Sequence, residues 1–116
     1  MPQLESTAKG PVHFVRFTTE RIVNEPAIQA LGEELLGVLN NRQANNILLD
    51  FAAVRFMSSS ALGILVRLQK RCREVSVPLK LCNIAPDVLE IFKITKLHKV
   101  FDIHPTQKEA VAAFKK

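Results

Sequence analysis

The sequence predicts a single α/β domain on a mixed, mostly parallel sheet of four to five strands with about four helices. Three observations predict it. Segments of strand and helix character alternate along the chain. The run Asn46-Ile47-Leu48-Leu49-Asp50-Phe51 is apolar at successive positions, as a parallel strand covered on both faces must be. The length, 116 residues, suits one domain, because such a chain buries roughly two-thirds of its unfolded surface and can build one core. The domain is expected over 1–116, with its core at about 12–114.

The first ten residues are polar, end before Pro11 in Gly10, and predict a loose lead-in or a short edge strand. Val12-His13-Phe14-Val15-Arg16-Phe17-Thr18-Thr19 is rich in β-branched and aromatic residues and predicts a strand. Pro26 fits the first turn of a helix, with Asn24 as its cap. Ile28, Leu31, Leu35 and Val38 give that helix one apolar face, broadened by Leu36 and Leu39, and Asn40-Asn41 stops it. After the central strand, a loop carries Val54, Phe56 and Met57 into Ser58-Ser59-Ser60. A second helix then places Ala61, Leu65, Leu68, Cys72 and Val75 on one face and Arg67, Lys70, Arg71, Arg73 and Glu74 on the other. Pro78-Leu79-Lys80-Leu81-Cys82-Asn83 alternates as a strand does. Pro86 opens a short helix holding Val88, Leu89, Ile91, Phe92 and Ile94. Lys99-Val100-Phe101-Asp102-Ile103 predicts the last strand. Thr106 with Glu109 has capping-box spacing for a final helix, whose apolar side is Ala110, Val111, Ala113 and Phe114. Leu48, Leu65 and Phe92 each lie on the apolar side of a different element and are expected in one core.

Composition narrows the function. Apolar residues make up 47% and charged residues 23%, ordinary for a soluble globular domain. No run reaches the roughly 18 apolar residues of a membrane span. The N-terminus is neither basic nor apolar, so no signal peptide is expected and the cytoplasm is the expected address. Cys72 and Cys82 have neither metal-ligand nor redox-pair spacing, and predict small, reduced, apolar residues. His13, His98 and His104 lie too far apart to read as a zinc site, and no phosphate loop occurs, so no cofactor is expected. The net charge of +5 gathers on Arg67, Lys70, Arg71 and Arg73, then Lys93, Lys96 and Lys99. A solvated helix face accounts for it, and seven aromatics, all Phe, leave no stacking platform, so nucleic acid is not an expected partner.

The serine turn carries more information. It stands where strand and loop feed a helix, so free backbone N–H groups and the positive helix end meet there. A nucleophile elbow would need Gly-x-Ser-x-Gly, and Met57-Ser58-Ser59-Ser60-Ala61 has neither glycine, so no enzyme is expected. A serine cap explains one of the three hydroxyls.

From Asp50-Phe51 through Val54, Phe56-Met57-Ser58-Ser59-Ser60-Ala61-Leu62-Gly63, the chain resembles the STAS domain of bacterial anti-sigma factor antagonists. Leu79-Lys80-Leu81-Cys82-Asn83-Ile84-Ala85-Pro86 and Phe92-Lys93-Ile94-Thr95-Lys96-Leu97 extend the resemblance over about 12–114. It implies a regulatory protein that sequesters an anti-sigma factor or related serine kinase and is switched off by phosphorylation. Ser59 falls on the phosphorylated serine, with Ser58 and Ser60 less favoured. Met57, Ser58, Ser59, Ser60, Ala61 and Leu62 become the expected partner-binding segment. Two positions depart from the pattern: Ser58 stands where the family usually has Asp, and Ala61 where it usually has Gly, adding a methyl expected to face the partner. Residues 19–24 also lack the usual Gly-x-Leu/Ile-Asp. The same resemblance admits an unphosphorylated scaffold or an accessory subunit of a stress-signalling assembly or transporter, itself not membrane-embedded. A homodimer is left open.

Overall fold

The computed structural model of the chain describes residues 4–41 and 45–114. The opening lead-in is a strand, β1 (Leu4–Lys9), and the first three residues assigned to it lie outside the described residues. At Gly10-Pro11 the chain turns back into β2 (Val12–Phe17), which pairs antiparallel with β1 from Leu4↔Phe17 to Lys9↔Val12. Gly10 holds φ +57°, a left-handed conformation that strains any residue with a Cβ. A two-residue strand, β3 (Arg21–Ile22), then leads to helix α1 (Glu25–Asn40). Its start is as the sequence predicts. Asn24 has extended backbone, its Oδ1 accepts from the Ala27 N–H at 3.2 Å, and Pro26 sits in the first turn.

β4 (Asn46–Asp50) follows, parallel to β2, and after a tight turn β5 (Phe56–Met57) pairs parallel with β3. The expected loop at 54–57 therefore contains half of a small second sheet, fastened by Arg55 and Phe56 N–H groups donating to Glu20 O. Such two-residue strands have too short a pattern to show in sequence. Helix α2 (Ser59–Glu74) is followed by β6 (Leu79–Cys82), helix α3 (Pro86–Ile94), a 3-10 turn (Leu97–Lys99), β7 (Asp102–His104) and helix α4 (Gln107–Phe114).

The last strand is displaced from its expected place at 99–103. Lys96 takes φ 62° after α3, and the Lys99, Val100 and Phe101 N–H groups donate back to Lys96 and Leu97. The backbone thus stays turned until Phe101, whose buried ring stands edge-on to Phe92 at 5.8 Å. The capping serine–threonine logic holds at α4, where the Glu109 N–H donates to Thr106 Oγ1 at 3.2 Å.

The main sheet runs β1-β2-β4-β6-β7, all parallel except the β1–β2 hairpin, with β4 at its centre. Ile47, Leu49, Phe51, Leu79 and Leu81 face α1, α2 and α3, joining Ile28, Leu31, Leu35, Leu65 and Phe92 in the larger cluster. Val12, Leu48 and Cys82 face the other way and are covered by Ala110, with Val111 and Phe114 packed alongside. Leu48, Leu65 and Phe92 are all fully buried, but they do not share one core: Leu48 lies on the α4 side of the sheet. Successive strand residues point to opposite faces, so a strand in the middle of a covered sheet feeds both.

Three expected core positions are solvent-facing or nearly so. Val75 ends α2 as its C-cap, Ile94 lies in the last turn of α3, and Leu36 lies on the outer flank of α1, with Leu39 buried in preference to Val38. The polar face of α2 is as read: Arg67, Lys70, Arg71, Arg73 and Glu74 are all exposed.

The serine turn at the start of α2

The parallel strands deliver their C-terminal ends to one rim of the molecule, the usual place for function on such sheets. There the chain leaves β4 at Asp50, whose Oδ1 accepts from the Ala52 N–H at 2.9 Å and from Asn83 Nδ2 at 3.1 Å. That carboxylate shapes the turn after β4 and ties it to the turn after β6, where Asn83 holds φ 58°. β5 then carries the backbone to α2, and the Ser58 N–H donates to Ile22 O at 3.0 Å. The turn is thereby clamped to β3.

The three serines have different roles. Ser58 has extended backbone (φ −78°, ψ 166°), is half-buried, and its Oγ accepts from the Ala61 N–H at 3.3 Å. It is the helix cap. Ser59 and Ser60 are the first residues of α2, and both are exposed. Met57, Ala61 and Leu62 are 1%, 0% and 3% exposed, so three of the six expected partner-binding residues hold the turn from inside the core. The expectation that the Ala61 methyl faces a partner is corrected, because it points into the apolar cluster under α2. The exposed surface of the turn is therefore Ser59, Ser60 and Gly63, with Ser58 at its edge.

Two exposed apolar residues flank it, Phe56 and Val23, neither of them among the expected partner-binding residues. The Arg21 guanidinium carbon stands 5.2 Å from the centroid of the Phe56 ring, within cation–π range. Arg21, Arg55 and Arg67 are exposed and make no ion pair among the described residues. In both short strands the inner members, Ile22 and Met57, are buried and the outer members, Arg21 and Phe56, exposed, a pattern too short to read from sequence.

Chemically, this rim offers hydroxyls, a helix N-terminus and the exposed guanidinium groups of Arg21 and Arg55. The first turn of a helix leaves N–H groups without intrahelical acceptors, and α2 has no acidic residue there to meet them. None of the three histidines is hydrogen-bonded to Ser58, Ser59 or Ser60 among the described residues. His104 belongs to the α4 side of the sheet, with Nε2 3.0 Å from Asp102 Oδ1. Cys72 and Cys82 form no disulfide and are buried, and burial, with Asp50 nearby, pushes the Cys82 thiol up to about 12. That thiol is protonated at neutral pH and is no nucleophile.

Known proteins give this architecture a context. The family model described as the STAS domain matches residues 8–110. A candidate anti-sigma factor antagonist of Bordetella bronchiseptica, BtrV, is 29% identical over 94 residues, spanning 81% of this chain and 80% of its own. The anti-sigma-factor antagonist (STAS) domain protein of Planctomyces limnophilus is 26% identical, with a TM-score of 0.83 over 97% of this chain and 98% of its own. The Bacillus cell fate determinant SpoIIAA in its phosphorylated form shares the fold at 16% identity, with a TM-score of 0.69 over 96% of this chain and 98% of its own. With the sheet order, the helix-opening serine turn and the family match over most of its length, the chain belongs to the STAS domain family.

Proposed function

We propose that this protein is an anti-sigma factor antagonist that holds an anti-sigma factor against the turn opening α2, and that phosphorylation of Ser59 by a serine-kinase partner releases it. The observation that carries the reading is the division of labour between the serines. Ser58 has taken the cap, so the Ser59 hydroxyl, exposed at the first helical residue, is free for modification. A phosphate there adds about −1.5 to −2 charges and three acceptor oxygens. The helix end accommodates it, typically gaining about 0.3–1 kcal/mol from the dipole. A partner pressed on the turn would have to desolvate the same dianion, so binding fails while the fold survives. On this reading the chain acts by binding, and among the described residues no histidine is hydrogen-bonded to the serines.

The relatives lend support in kind. BtrV carries the antagonist description, and SpoIIAA is known in a phosphorylated form. The serine at position 58 replaces the usual acidic residue without loss of the cap, because a hydroxyl oxygen accepts the same N–H.

The test uses two substitutions. Ser59→Ala should bind the anti-sigma factor as the parent does and refuse phosphate. Ser59→Asp should stay folded and bind more weakly, the loss being partial because a carboxylate has less charge and bulk than phosphate. Phosphosite mapping on protein from the native cell checks the position, and Ser58 or Ser60 alone would move the switch by one residue. Equal affinity of parent, Asp variant and phosphorylated protein would leave the serines as a cap on a passive scaffold.

A further inference from the structure

The edge of the main sheet at β1 has a pattern that the serine turn does not use. β1 is the outermost strand, and every residue from Glu5 to Lys9 is exposed. The Asn46 N–H donates to Pro11 O, so the odd residues of β2 face β4 and the even ones face β1. By the β1–β2 register, residues 5, 7 and 9 turn their backbone groups to β2, and Leu4, Ser6 and Ala8 turn theirs outward. Among the described residues no strand pairs with that outer edge.

Charged residues on an edge strand ordinarily keep other edges away. Here they are arranged to do the reverse. Glu5 and Lys9 have opposite signs and are disposed symmetrically about Thr7. On the same face a row of alternating charge crosses the sheet, Asp50, Arg16, Glu5, and stops at the edge on a negative residue. Arg16 Nε donates to Glu5 Oε1 at 3.1 Å within that row. We propose that β1 pairs antiparallel with β1 of a second copy of this chain, Thr7 opposite Thr7 on the twofold axis, making one continuous sheet across the dimer. In this register Glu5 meets Lys9 of the second copy, twice by symmetry, and the charge row gains the cation it lacks. Ser6 and Ala8 exchange both backbone hydrogen bonds with Ala8 and Ser6 opposite, and these small side chains let the strands approach. The neighbouring twofold registers fail this test: Ser6 on the axis sets Glu5 against Thr7, and Ala8 on the axis sets Lys9 against Thr7, so neither gives Lys9 an acid. The pairing lies on the sheet edge and is independent of how the serine turn functions.

Cross-linking and sedimentation test it on the full chain. Thr7→Cys should oxidise to a covalent dimer, since residues opposite each other in a non-hydrogen-bonded pair stand about 4.5 Å apart at Cα, within disulfide reach. The two native cysteines are buried and do not compete. In sedimentation equilibrium the parent should dimerise, and Lys9→Glu should raise the dissociation constant about tenfold by setting like charges opposite. Ser6→Pro removes an outward N–H that β2 does not use, so it should keep the monomer's circular dichroism and abolish the dimer. A parent that stays monomeric up to millimolar concentration, or a dimer indifferent to Ser6→Pro, would overturn the proposal. Cross-linking of Ser6→Cys but not Thr7→Cys would overturn the register.

Discussion

Ser58 shows how a single atom sets the start of the functional helix. Its Oγ satisfies the Ala61 N–H, and the neighbouring carbonyl takes the first intrahelical bond from Leu62 at 3.1 Å. Removing the hydroxyl leaves an N–H at the helix start without its acceptor and frees the turn to fray. Ser58→Ala should therefore cost about 1 kcal/mol in denaturant unfolding. Ser59→Ala should cost less, because the Ser59 hydroxyl caps nothing. If the two cost the same, the cap is not at Ser58. The residue types were readable here: three serines before an apolar periodic run announce a helix start. Which serine caps was not, because that depends on where Ile22 O catches the backbone.

At the scale of elements, the seam between the β1–β2 hairpin and the C-terminal end of α1 contains a histidine whose ring makes no hydrogen bond among the described residues. His13 is 8% exposed, and neither ring nitrogen has a hydrogen-bond partner among the described residues. It shares a groove with Ser6, Ala8, Gly37, Val38 and Asn41, none of them a carboxylate that could pair with an imidazolium. Burial therefore holds the His13 pKa below the ordinary 6.5. The unfolded chain takes up a proton at a higher pH than the folded one, so stability falls as pH drops through and below about 6.5. His13→Leu should flatten the unfolding free energy between about pH 7 and 5, where the parent declines. A parent and variant with parallel pH profiles would place the acid sensitivity elsewhere. The sequence put His13 on a strand, but only the helix lying over that strand made the imidazole a buried one.

For the whole molecule, the consequence of a covered sheet is two cores that share the strands β2, β4 and β6. Leu48 belongs to the α4 side and Leu65 to the side of α1, α2 and α3. Leu48→Ala and Leu65→Ala should each cost roughly 2–5 kcal/mol, since both side chains are fully buried. Because they share no cluster, their double variant should lose the sum of the two to within about 0.5 kcal/mol. Loss well short of additivity, measured by denaturant unfolding, would mean that the faces communicate through β4.

The sequence by itself determined the α/β class, the long helices, the central parallel strand, the caps at Asn24 and Thr106, and the serine turn. All of these rest on signals confined to neighbouring residues, namely apolar period, capping chemistry and turn residues. Only the tertiary structure decided the β3–β5 ribbon, the place of β7, and the separation of Leu48 from Leu65. Each depends on groups beyond the reach of a local pattern: Glu20 bonded to Arg55, Phe101 folded back by its turn onto Phe92, and α4 against the back of β4. The candidate site divides the same way. Its serines were legible, because a helix start is local. That Met57, Ala61 and Leu62 support the turn from within, leaving Ser59 and Ser60 to the outside, followed only once α2 lay against the sheet and one of its faces was lost to solvent.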